Sequence, residues 1–465
     1  MRQKGDILLV SCYELGHQPL GLAMPLGFFE AAGFRPDVLD VSREALDPTR
    51  LARARMAAIC TPMHTALRLG VQVAARLRQV NPAAHLCFHG LYAALNADHL
   101  LREAADSILA GECEESLVDL ARALERGEDL SSVAGLRLPG GAPSPILRRL
   151  SFVTPRREGL RPLSEYAALE EDGRTRLAGY VEASRGCLHL CRHCPIPPVY
   201  GGRFFVVPKD RVLEDIGRQA EMGATHITFG DPDFLNGPGH SLPIVREMHL
   251  RFPALTFDCT AKIEHLRRHY VLLPELKELG CLFVVSAVES LNDTVLGILE
   301  KGHRRQDVEA VLSDFQSAGL ALRPTLLPFT PWSSLDDFQD LLDFVEDRDL
   351  VGCVDPVQFS VRLLVPPGSR LLDDPALARR LGDLVPASFS HSWVHEDERM
   401  ERLHRLVSAQ VEHSAHLEEN PEQTFVRIRE IHSRVRGGSR DEARTAPPPI
   451  LPKRRTPRLT ESWFC

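Results

Sequence analysis

The sequence predicts an α/β protein: an N-terminal doubly wound parallel sheet, a partial (β/α)6 barrel, a C-terminal helical extension and a disordered tail. Two series of short apolar runs alternate with helical patterns, and a Pro/Gly-rich stretch at 139–145 separates them. A length of 465 residues suggests about three domain-sized units. The predicted boundaries are 1–138 for the first domain, 139–175 for a linker, 176–391 for the barrel, 392–438 for the helical extension and 439–465 for a flexible Pro/Arg-rich tail.

The N-terminal domain is predicted from short apolar runs bounded by turns and separated by helical patterns. The predicted strands are 7–11, 38–41, 57–60, 85–88 and 107–110. Such runs are typical of a parallel sheet covered on both faces, and sheets of this kind bind ligands at the carboxyl ends of their strands. We therefore expect the functional loops to be 11–21, 61–66, 89–95 and 111–115.

The barrel is predicted from six further strand patterns, each followed by a helical one. These strands are 178–183, 225–229, 255–260, 282–287, 321–326 and 357–363. A barrel carries its chemistry at the carboxyl ends of its strands. Beyond it, helical spacing from Met400 to Val411 and a helix starting at Asn420 and Pro421 form the extension. The segment from Arg444 is too rich in proline and charge to pack.

Composition excludes several classes of protein. The chain is 44% hydrophobic and 25% charged with a formal charge of −8, so nothing indicates binding to nucleic acid or to an anionic membrane. It contains no stretch of 18 apolar residues, and its first residues contain no apolar signal core. We therefore expect a cytoplasmic protein. Eleven cysteines, an odd and scattered set, do not form a disulfide framework.

Three cysteines lie within eight residues, just after the first predicted barrel strand. Cys187, Cys191 and Cys194 have C-x3-C-x2-C spacing. Three thiolates on one loop can bind three irons of a 4Fe–4S cluster and leave the fourth iron open. Zinc is an alternative, with His189 or His193 as fourth ligand, although structural zinc favours paired two-residue spacings. Inert buried thiols are a third reading, but a loop that opens on Arg-Gly and closes on Cys-Pro is unlike a core element.

This spacing, directly after a first barrel strand, resembles the radical SAM superfamily over roughly residues 177–372. His193 stands where that family usually has an aromatic residue. The resemblance implies that S-adenosylmethionine (SAM) chelates the open iron. It also implies that one electron, from a donor such as flavodoxin or ferredoxin, breaks the sulfonium C–S bond. The resulting 5′-deoxyadenosyl radical abstracts hydrogen from the substrate.

The resemblance also implies SAM contacts at the ends of the second and third barrel strands. The backbone of Phe229 and Gly230 with the carboxylate of Asp231 would bind the SAM amino group. This departs from the family's usual Gly-Gly-Glu, and a simple turn capped by Asp231 and Asp233 is the alternative. Lys262 would face the SAM carboxylate, unless it is a solvated surface lysine.

Further contacts are expected at the later strands. Glu289 and Ser290 close the fourth strand, where the family places polar ribose contacts, and an unpartnered buried Glu289 would be costly. Arg323 on the fifth strand and Arg362 on the sixth interrupt apolar runs. They would bind an anionic group, or else form paired core arginines.

The N-terminal domain resembles that of cobalamin-binding radical SAM proteins in the order of its glycine-bearing loops. The resemblance implies cobalamin contacts at Pro19, Gly21, Gly90, Gly111 and Glu112. The Asp-x-His-x-x-Gly signature is absent, and the segment around His17 lacks its Asp and misplaces its Gly. The lower face of cobalamin would then have no protein histidine, or the domain would be a scaffold that binds no cobalamin.

The chain ends in Trp463, Phe464 and Cys465, which resembles the tail of the CUAEP/CCAEP-tail radical SAM proteins. In that family Cys or selenocysteine follows the first Cys, so we expect a recoded UGA codon after Cys465. A Cys/selenocysteine pair is a reactive thiol or selenol that can reduce or relay substrate. An ordinary disordered end is the alternative.

Together these features predict a radical SAM enzyme that performs cobalamin-dependent methylation or rearrangement at an unactivated carbon of a small-molecule or peptide substrate. One alternative is a radical SAM enzyme without functional cobalamin that works with a C-terminal thiol or selenol relay. Another is a non-catalytic iron–sulfur redox sensor. No motif specifies the substrate.

Overall fold

The computed structural model describes residues 1–142, 145–437 and 456–461. Its N-terminal sheet has five parallel strands: β1 (Ile7–Ser11), β2 (Asp37–Asp40), β3 (Met56–Cys60), β4 (His85–His89) and β5 (Ser107–Leu109), in the order β2-β1-β3-β4-β5. The accompanying helices are α1 (Leu20–Ala31), α2 (Pro48–Arg53), α3 (His64–Val80), α4 (Leu91–Leu95), α5 (Ala97–Glu103) and α6 (Glu114–Arg126). The predicted doubly wound sheet is confirmed.

The two faces of this sheet are buried because successive side chains point to opposite sides. On β3, Met56 and Ala58 pack in the same core as α1 and α6, whereas Ala57 and Ile59 pack with α3. All five β3 residues are buried. A continuous apolar run is therefore what the strand requires.

The second sheet holds seven strands. The remaining strands are β6 (Ala168–Glu171), β7 (Arg174–Val181), β8 (Ser184–Gly186), β9 (Phe204–Val206), β10 (His226–Phe229), β11 (Thr256–Thr260), β12 (Cys281–Glu289), β13 (Ala321–Leu326), β14 (Leu381–Val385), β15 (Ser390–Trp393) and β16 (Arg458–Leu459). The order is β13-β12-β11-β10-β7-β6-β16, in which β7 and β10 to β13 are parallel and β6 and β16 are antiparallel. β8 and β9 form a separate hairpin, as do β14 and β15.

Helices cover the outer face of this sheet and continue beyond it. They are α7 (Pro197–Tyr200), α8 (Lys209–Glu221), α9 (Pro238–Arg251), α10 (Ile263–Arg268), α11 (Leu273–Glu278), α12 (Asp293–Ile298), α13 (Arg305–Ala318), α14 (Leu335–Asp347), α15 (Pro375–Ala378), α16 (Glu398–His416) and α17 (Pro421–Arg436). The two helices of the predicted extension pack against each other, and α17 also contacts α14. Within the described ranges, no helix has the length and apolar character needed to cross a membrane.

Five of the six predicted barrel strands are confirmed, but the strand predicted at 357–363 is wrong. That segment begins with a 3-10 turn, Pro356–Ser360, and one isolated bridge joins Phe329 to Arg362. Proline restricts the backbone at the start of the turn. The Gln358 side chain then accepts the hydrogen bond from the Leu326 backbone N–H, at 2.9 Å, that a neighbouring strand would otherwise accept.

The predicted irregular linker also needs correction, because β6 lies within it and forms a hairpin with β7. Asp172 and Gly173 form the connection with φ values of +49° and +74°. An Asp-Gly pair is a strong signal for a two-residue hairpin turn because both positions require positive φ. This signal was present in the sequence.

Part of the tail predicted to be flexible forms the outermost strand. β16 pairs with β6, and the Thr460 N–H donates to the Ala168 carbonyl oxygen at 2.8 Å. Leu459 packs against a small core that includes Leu169 and Phe283. An exposed strand edge offers unpaired backbone groups, which β16 satisfies here. Residues 439–455 and 462–465 of the predicted tail, which include Cys465, lie outside the described residues.

Candidate active site

The three clustered cysteines lie on the loop between β8 and α7, at the carboxyl end of β7. Gly186 has φ +74°, and a Cβ there would collide with the Arg203 carbonyl oxygen, so only glycine allows the turn into Cys187. Burial raises the pKa of the Cys187 thiol, and it raises that of Cys194 to about 12, with Cys191 and Cys187 adding to the effect. Burial and a neighbouring thiol thus oppose the ionisation of Cys187 and of Cys194, and a bound cation would offset this.

Two buried lysines face these thiols. Lys262 Nζ donates to Cys191 Sγ at 3.7 Å, and Lys301 is only 3% exposed. Burial lowers the pKa of Lys301, but Glu289 and Cys191 together raise it above its usual value. The site therefore holds fixed positive charge beside the thiols.

Glu289 lies at the end of β12 and joins this group. Its Oε1 accepts from Lys301 Nζ at 3.1 Å and from His193 Nε2 at 3.2 Å. Burial alone would raise the pKa of Glu289, but Lys301 and His193 lower it below its usual range. Glu289 is therefore an ionised carboxylate that connects the cysteine loop to β12.

Asp231 and Asn236, which follow β10, hold the cysteine loop in place. Asp231 accepts from the Ala183 N–H at 2.9 Å and from Ser184 Oγ at 2.5 Å, and burial raises the pKa of its carboxyl to about 7. Asn236 Oδ1 lies 3.8 Å from Cys187 Sγ and accepts from the Leu188 N–H at 3.4 Å. Both Asp231 oxygens are used by the loop, which adds a positioning role to its predicted contact with SAM.

The other residues predicted after β10 lie at the same edge. Phe229 is buried against Phe234 and Phe257. A Cβ at Gly230 would collide with the Tyr180 ring, so a side chain has no space there. Asp233 is fully buried, and its Oδ1 accepts from the Leu235 N–H at 3.1 Å, which is the Asx turn of the alternative reading.

The residues predicted on later strands divide into two groups. Ser290 lies at the carboxyl edge, where its Oγ accepts from the Asn292 N–H ahead of α12. Arg323 pairs with Asp355 at 2.8 Å and lies over the Phe283 ring, while Arg362 pairs with Glu401 at 2.9 Å. Both arginines thus have carboxylate partners, as expected if they are paired arginines of the core. Their contact with an anionic ligand stays a prediction.

The concave face of the barrel sheet carries a buried polar group. His226 Nε2 donates to Asp258 Oδ1 at 2.8 Å, and Thr228 Oγ1 donates to the same oxygen at 2.7 Å. His17, from the loop after β1, stacks on Tyr180 at 4.5 Å. A residue of the N-terminal domain, His17, therefore packs its ring against Tyr180 of the barrel sheet.

At the carboxyl edge of the N-terminal sheet, the predicted glycines are required by the chain's own packing. A Cβ at Gly21 would lie 2.5 Å from Cys60 Sγ, and one at Gly90 would lie 3.0 Å from the Thr61 carbonyl. A Cβ at Gly111 would collide with the Ile146 carbonyl oxygen. Pro19 precedes α1, and its carbonyl accepts from the first turn of that helix. Packing thus explains these glycines, and their contact with cobalamin stays a prediction.

A buried ionic network joins this edge to the cysteine loop. Arg185 lies 2.6 Å from a Glu114 oxygen, 2.9 Å from a Glu182 oxygen and 3.5 Å from a Glu112 oxygen. Glu112 also accepts from the Tyr200 hydroxyl at 2.9 Å. Burial raises the pKa of Glu112 to about 7, against the opposing effect of Arg185. Arg185 is two residues before Cys187, so the network couples the two sheets directly.

The sequence profile of the radical SAM superfamily matches residues 181–345, which include the cysteine loop and the residues that hold it. Residues 181–345 are a radical SAM domain. An uncharacterized methyltransferase of Pyrococcus horikoshii, PH0819, is 24% identical over 309 residues, 64% of this chain and 64% of that protein. The ribosomal protein uS12 methylthiotransferase RimO of Chlorobium chlorochromatii is 24% identical over 186 residues, 37% of this chain and 42% of its own length. The chain thus covers less than two thirds of these relatives.

Solved structures extend the similarity beyond the radical SAM domain. The radical SAM methyltransferase TsrM of Kitasatospora setae, solved with tryptophan substrate and a SAM analog bound, aligns over 83% of this chain and 82% of its own. Its TM-score is 0.63 at 17% identity. The cobalamin-dependent SAM radical enzyme OxsB, solved with aqua-cobalamin bound, covers 92% of this chain and 72% of its own, with TM-score 0.72 and 13% identity. At these identities the likeness shows a shared two-sheet fold.

The residues of the radical SAM domain fit an iron–sulfur cluster and SAM by their chemistry. Three thiols converge beside two lysines, which is a suitable donor set and charge for an iron–sulfur cluster. His193 Nδ1 and His303 Nδ1 are buried, and neither has a hydrogen-bond partner among the described residues. Such orphaned polar atoms beside Glu289 suit a polar ligand.

The N-terminal sheet fits cobalamin at some positions. Asn96 Oδ1 and Glu114 Oε2, which follow β4 and β5, are buried acceptors without a partner in the described part of the chain. The amide groups around a corrin ring are donors that would satisfy them. Gly111 leaves no open space for a ligand beside its Cα, because the Ile146 carbonyl oxygen lies where a side chain would begin.

Several residues around the radical SAM domain's cysteines were missed by the sequence prediction. Lys301 and His303 flank Gly302, whose φ is +75°. A Lys-Gly-His run after an apolar helix was a usable signal. Asn236 and His265 gave no comparable local signal, because their role depends on contact with the distant cysteine loop.

Proposed function

We propose that this chain is an enzyme that cleaves SAM reductively at a 4Fe–4S cluster held by Cys187, Cys191 and Cys194. We further propose that it methylates or rearranges an unactivated carbon of a small-molecule or peptide substrate with the help of cobalamin. The observation that carries the proposal is the convergence of three thiols at the carboxyl end of β7, beside two buried lysines. The similarity of the whole fold to TsrM and OxsB supports the cobalamin part.

The chain's own residues set the charge around the cluster. When bound, the cluster supplies one electron to SAM, and cobalamin supplies a transferable methyl group. Lys262 and Lys301 offset the negative charge of the thiolates, which makes a cluster easier to reduce. Glu289 accepts from His193 of the cysteine loop and from Lys301, and so holds the Lys301 charge beside that loop.

Other residues are proposed to bind and orient SAM. The backbone of Gly230 at the end of β10 is proposed to contact the SAM amino group, and Tyr180 already fills the space where a side chain at this position would lie. Lys262 and Ser290 lie at the same carboxyl edge, where a cation and a hydroxyl suit the carboxylate and ribose of SAM. Asp231 acts mainly by fixing Ala183 and Ser184, the residues that lead into the cysteine loop.

Substrate binding is proposed at the concave face of the barrel sheet, between the two sheets. Asp258 and His226 present hydrogen-bonding groups there, and His17 and Tyr180 present stacked rings. Rings and buried polar groups suit a ligand that has both an aromatic or planar part and polar substituents. The electron donor is proposed to be a small redox protein such as flavodoxin or ferredoxin.

Anaerobic reconstitution tests the proposal. Full-length protein is incubated with iron and sulfide, then with dithionite and SAM, and 5′-deoxyadenosine is measured by chromatography. The wild type is expected to gain the broad visible absorption of a 4Fe–4S cluster and to release 5′-deoxyadenosine. Cys191→Ala is expected to lose both, whereas Cys353→Ala, a cysteine outside the loop, keeps both.

The possible outcomes separate the parts of the proposal. Zinc in place of iron, or full activity in Cys191→Ala, contradicts the ligand assignment. A stable cluster without SAM cleavage contradicts the enzyme and leaves a redox sensor. SAM cleavage with no cobalamin retained after incubation and gel filtration contradicts the cobalamin part alone.

A further inference from the structure

A second group of metal-ligating side chains lies beside the three cysteines and includes one residue of their loop. His189, Asp233 and His265 each place one ligand atom within 4.8 Å of the other two. His189 belongs to the loop itself, Asp233 follows β10 and His265 lies on α10. None of the three is part of the cysteine set.

The contacts within this group run through His265, which faces His189 and Asp233 with different ring nitrogens, one of which would bind an ion. His189 Nε2 lies 3.3 Å from His265 Nε2 and 3.8 Å from Asp233 Oδ2. His265 Nδ1 lies 2.6 Å from Asp233 Oδ2. Nitrogen and oxygen ligands at about 2.0–2.2 Å from a tetrahedral ion lie roughly 3.3–3.6 Å apart. The 3.3 Å and 3.8 Å contacts are close to this separation, whereas the 2.6 Å contact would lengthen when an ion binds.

Two buried atoms in the group have no hydrogen-bond partner. Asp233 is fully buried and His265 is 3% exposed. Asp233 Oδ2 lies 2.6 Å from His265 Nδ1 and 3.8 Å from His189 Nε2, but neither Asp233 Oδ2 nor His265 Nδ1 forms a hydrogen bond within residues 1–142, 145–437 and 456–461. Native proteins rarely leave such atoms unsatisfied without a ligand or ion nearby.

We propose that His189, Asp233 and His265 bind a divalent transition-metal ion, separate from the iron–sulfur cluster. Two imidazoles and one carboxylate are a ligand set that suits zinc or ferrous iron and leaves a further position for water. Lys262 and Glu264 lie beside the site, 3.6 Å apart, and carry opposite charges. The positive charge of a bound metal ion is therefore not opposed by a net positive surrounding.

Such an ion would fasten the cysteine loop to the ends of β10 and β11. His189 lies between Cys187 and Cys191. Its coordination would therefore fix the middle of the cysteine loop. Asp233 also accepts from the Leu235 N–H, which orients its carboxylate. The ion therefore has a structural role that does not depend on radical chemistry.

Zinc binding to full-length protein tests the proposal. Cluster-loaded wild type is dialysed against Zn²⁺, and metal content is measured by mass spectrometry. The expected result is one zinc per chain in addition to the cluster iron, with at least a tenfold loss of affinity in Asp233→Asn and His265→Ala. His269→Ala is the matched control, because His269 lies next to His265 without belonging to the group, and it keeps the zinc.

A second set of measurements covers the case in which a buried variant fails to fold. His189 is 16% exposed by side chain, so His189→Ala is expected to fold while losing the zinc-dependent rise in the thermal unfolding midpoint. A full-length variant with Cys187, Cys191 and Cys194 all changed to Ser cannot hold a cluster but is expected to keep the zinc.

Each result of these zinc measurements either supports or overturns the proposed site. No zinc in the cluster-loaded wild type, or equal affinity in His189→Ala and wild type, overturns the proposal. Zinc lost with the three cysteines shows that the thiols were the ligands and also overturns it. Because the cysteine variant measures zinc without SAM chemistry, failure of the proposed enzyme and failure of this site are distinguishable.

Discussion

Replacing Glu112 with Gln is expected to remove a pH dependence of stability. The Glu112 carboxyl is fully buried, and burial is the main reason that its pKa rises from 4.5 to about 7 in the folded protein. Between these values the folded chain keeps a proton that the unfolded chain has released. The wild type is therefore expected to lose stability as pH rises from about 4.5 to 7, and to lose no more above it.

The size of this effect follows from the two pKa values. One pH unit in that interval corresponds to about 1.4 kcal/mol, so the whole interval contributes about 3 kcal/mol to the free energy of unfolding. Gln cannot ionise, and its carbonyl oxygen can still accept from the Tyr200 hydroxyl. Relative to the wild type, the variant is expected to gain about 3 kcal/mol between pH 4.5 and pH 8.

Thermal unfolding of metal-free protein at pH 5, 6, 7 and 8 measures this difference. Comparing the two proteins at each pH cancels the titrating groups that do not interact with residue 112. Glu115→Gln is the control, because Glu115 is a neighbouring glutamate that pairs with Arg148 at the surface, and its profile is expected to follow the wild type. Parallel profiles for Glu112→Gln and wild type would refute the argument, since Glu112 would then ionise normally despite its burial.

Three further changes test the packing and the charge of the site. Gly111→Ala is expected to lower the free energy of unfolding by more than about 2 kcal/mol, because φ is +75° and Ile146 blocks the added Cβ. Gly127→Ala is the control: φ is +67° but the space is open, so the loss should be about 1 kcal/mol. Denaturant unfolding compares the two. Leu459→Ala is expected to lose about 1–3 kcal/mol through its contacts with the barrel core, and an unchanged unfolding midpoint would show that β16 does not stabilise the sheet. Lys301→Met is expected to shift the cluster's reduction potential to more negative values, since a positive charge beside the thiols is lost; a redox titration followed by electron paramagnetic resonance measures it.

Local patterns predicted most of the fold. Strands such as β3 are buried on both faces, so a continuous apolar run marks them in the sequence. The failures occurred where the outcome depends on distant segments. Gln358 supplies a hydrogen bond that replaces a strand contact, and Leu459 finds its partners far away in the chain. Neither relation can be seen within a short window of sequence.

The candidate site shows the same division. Cys187, Cys191 and Cys194 could be predicted because their spacing on one loop is itself the signal. Lys301 and Asn236 come from other strand ends, and only folding brings them to the loop. For the glycines expected to contact cobalamin, packing within the chain requires glycine whether or not cobalamin binds, so their contact with it stays a prediction.

The β6–β16 pairing has a consequence for biosynthesis. Arg458 on β16 and its partner Glu170 on β6 are 288 positions apart. At a translation speed of about 5–20 residues per second, the ribosome needs roughly 15–60 s to make the chain between them. The parallel core can assemble while the nascent polypeptide is still attached, but the edge of β6 stays bare throughout that time. Capping of that edge is thus a late event in the synthesis of the chain, and a product stalled before β16 would expose an unpaired strand edge.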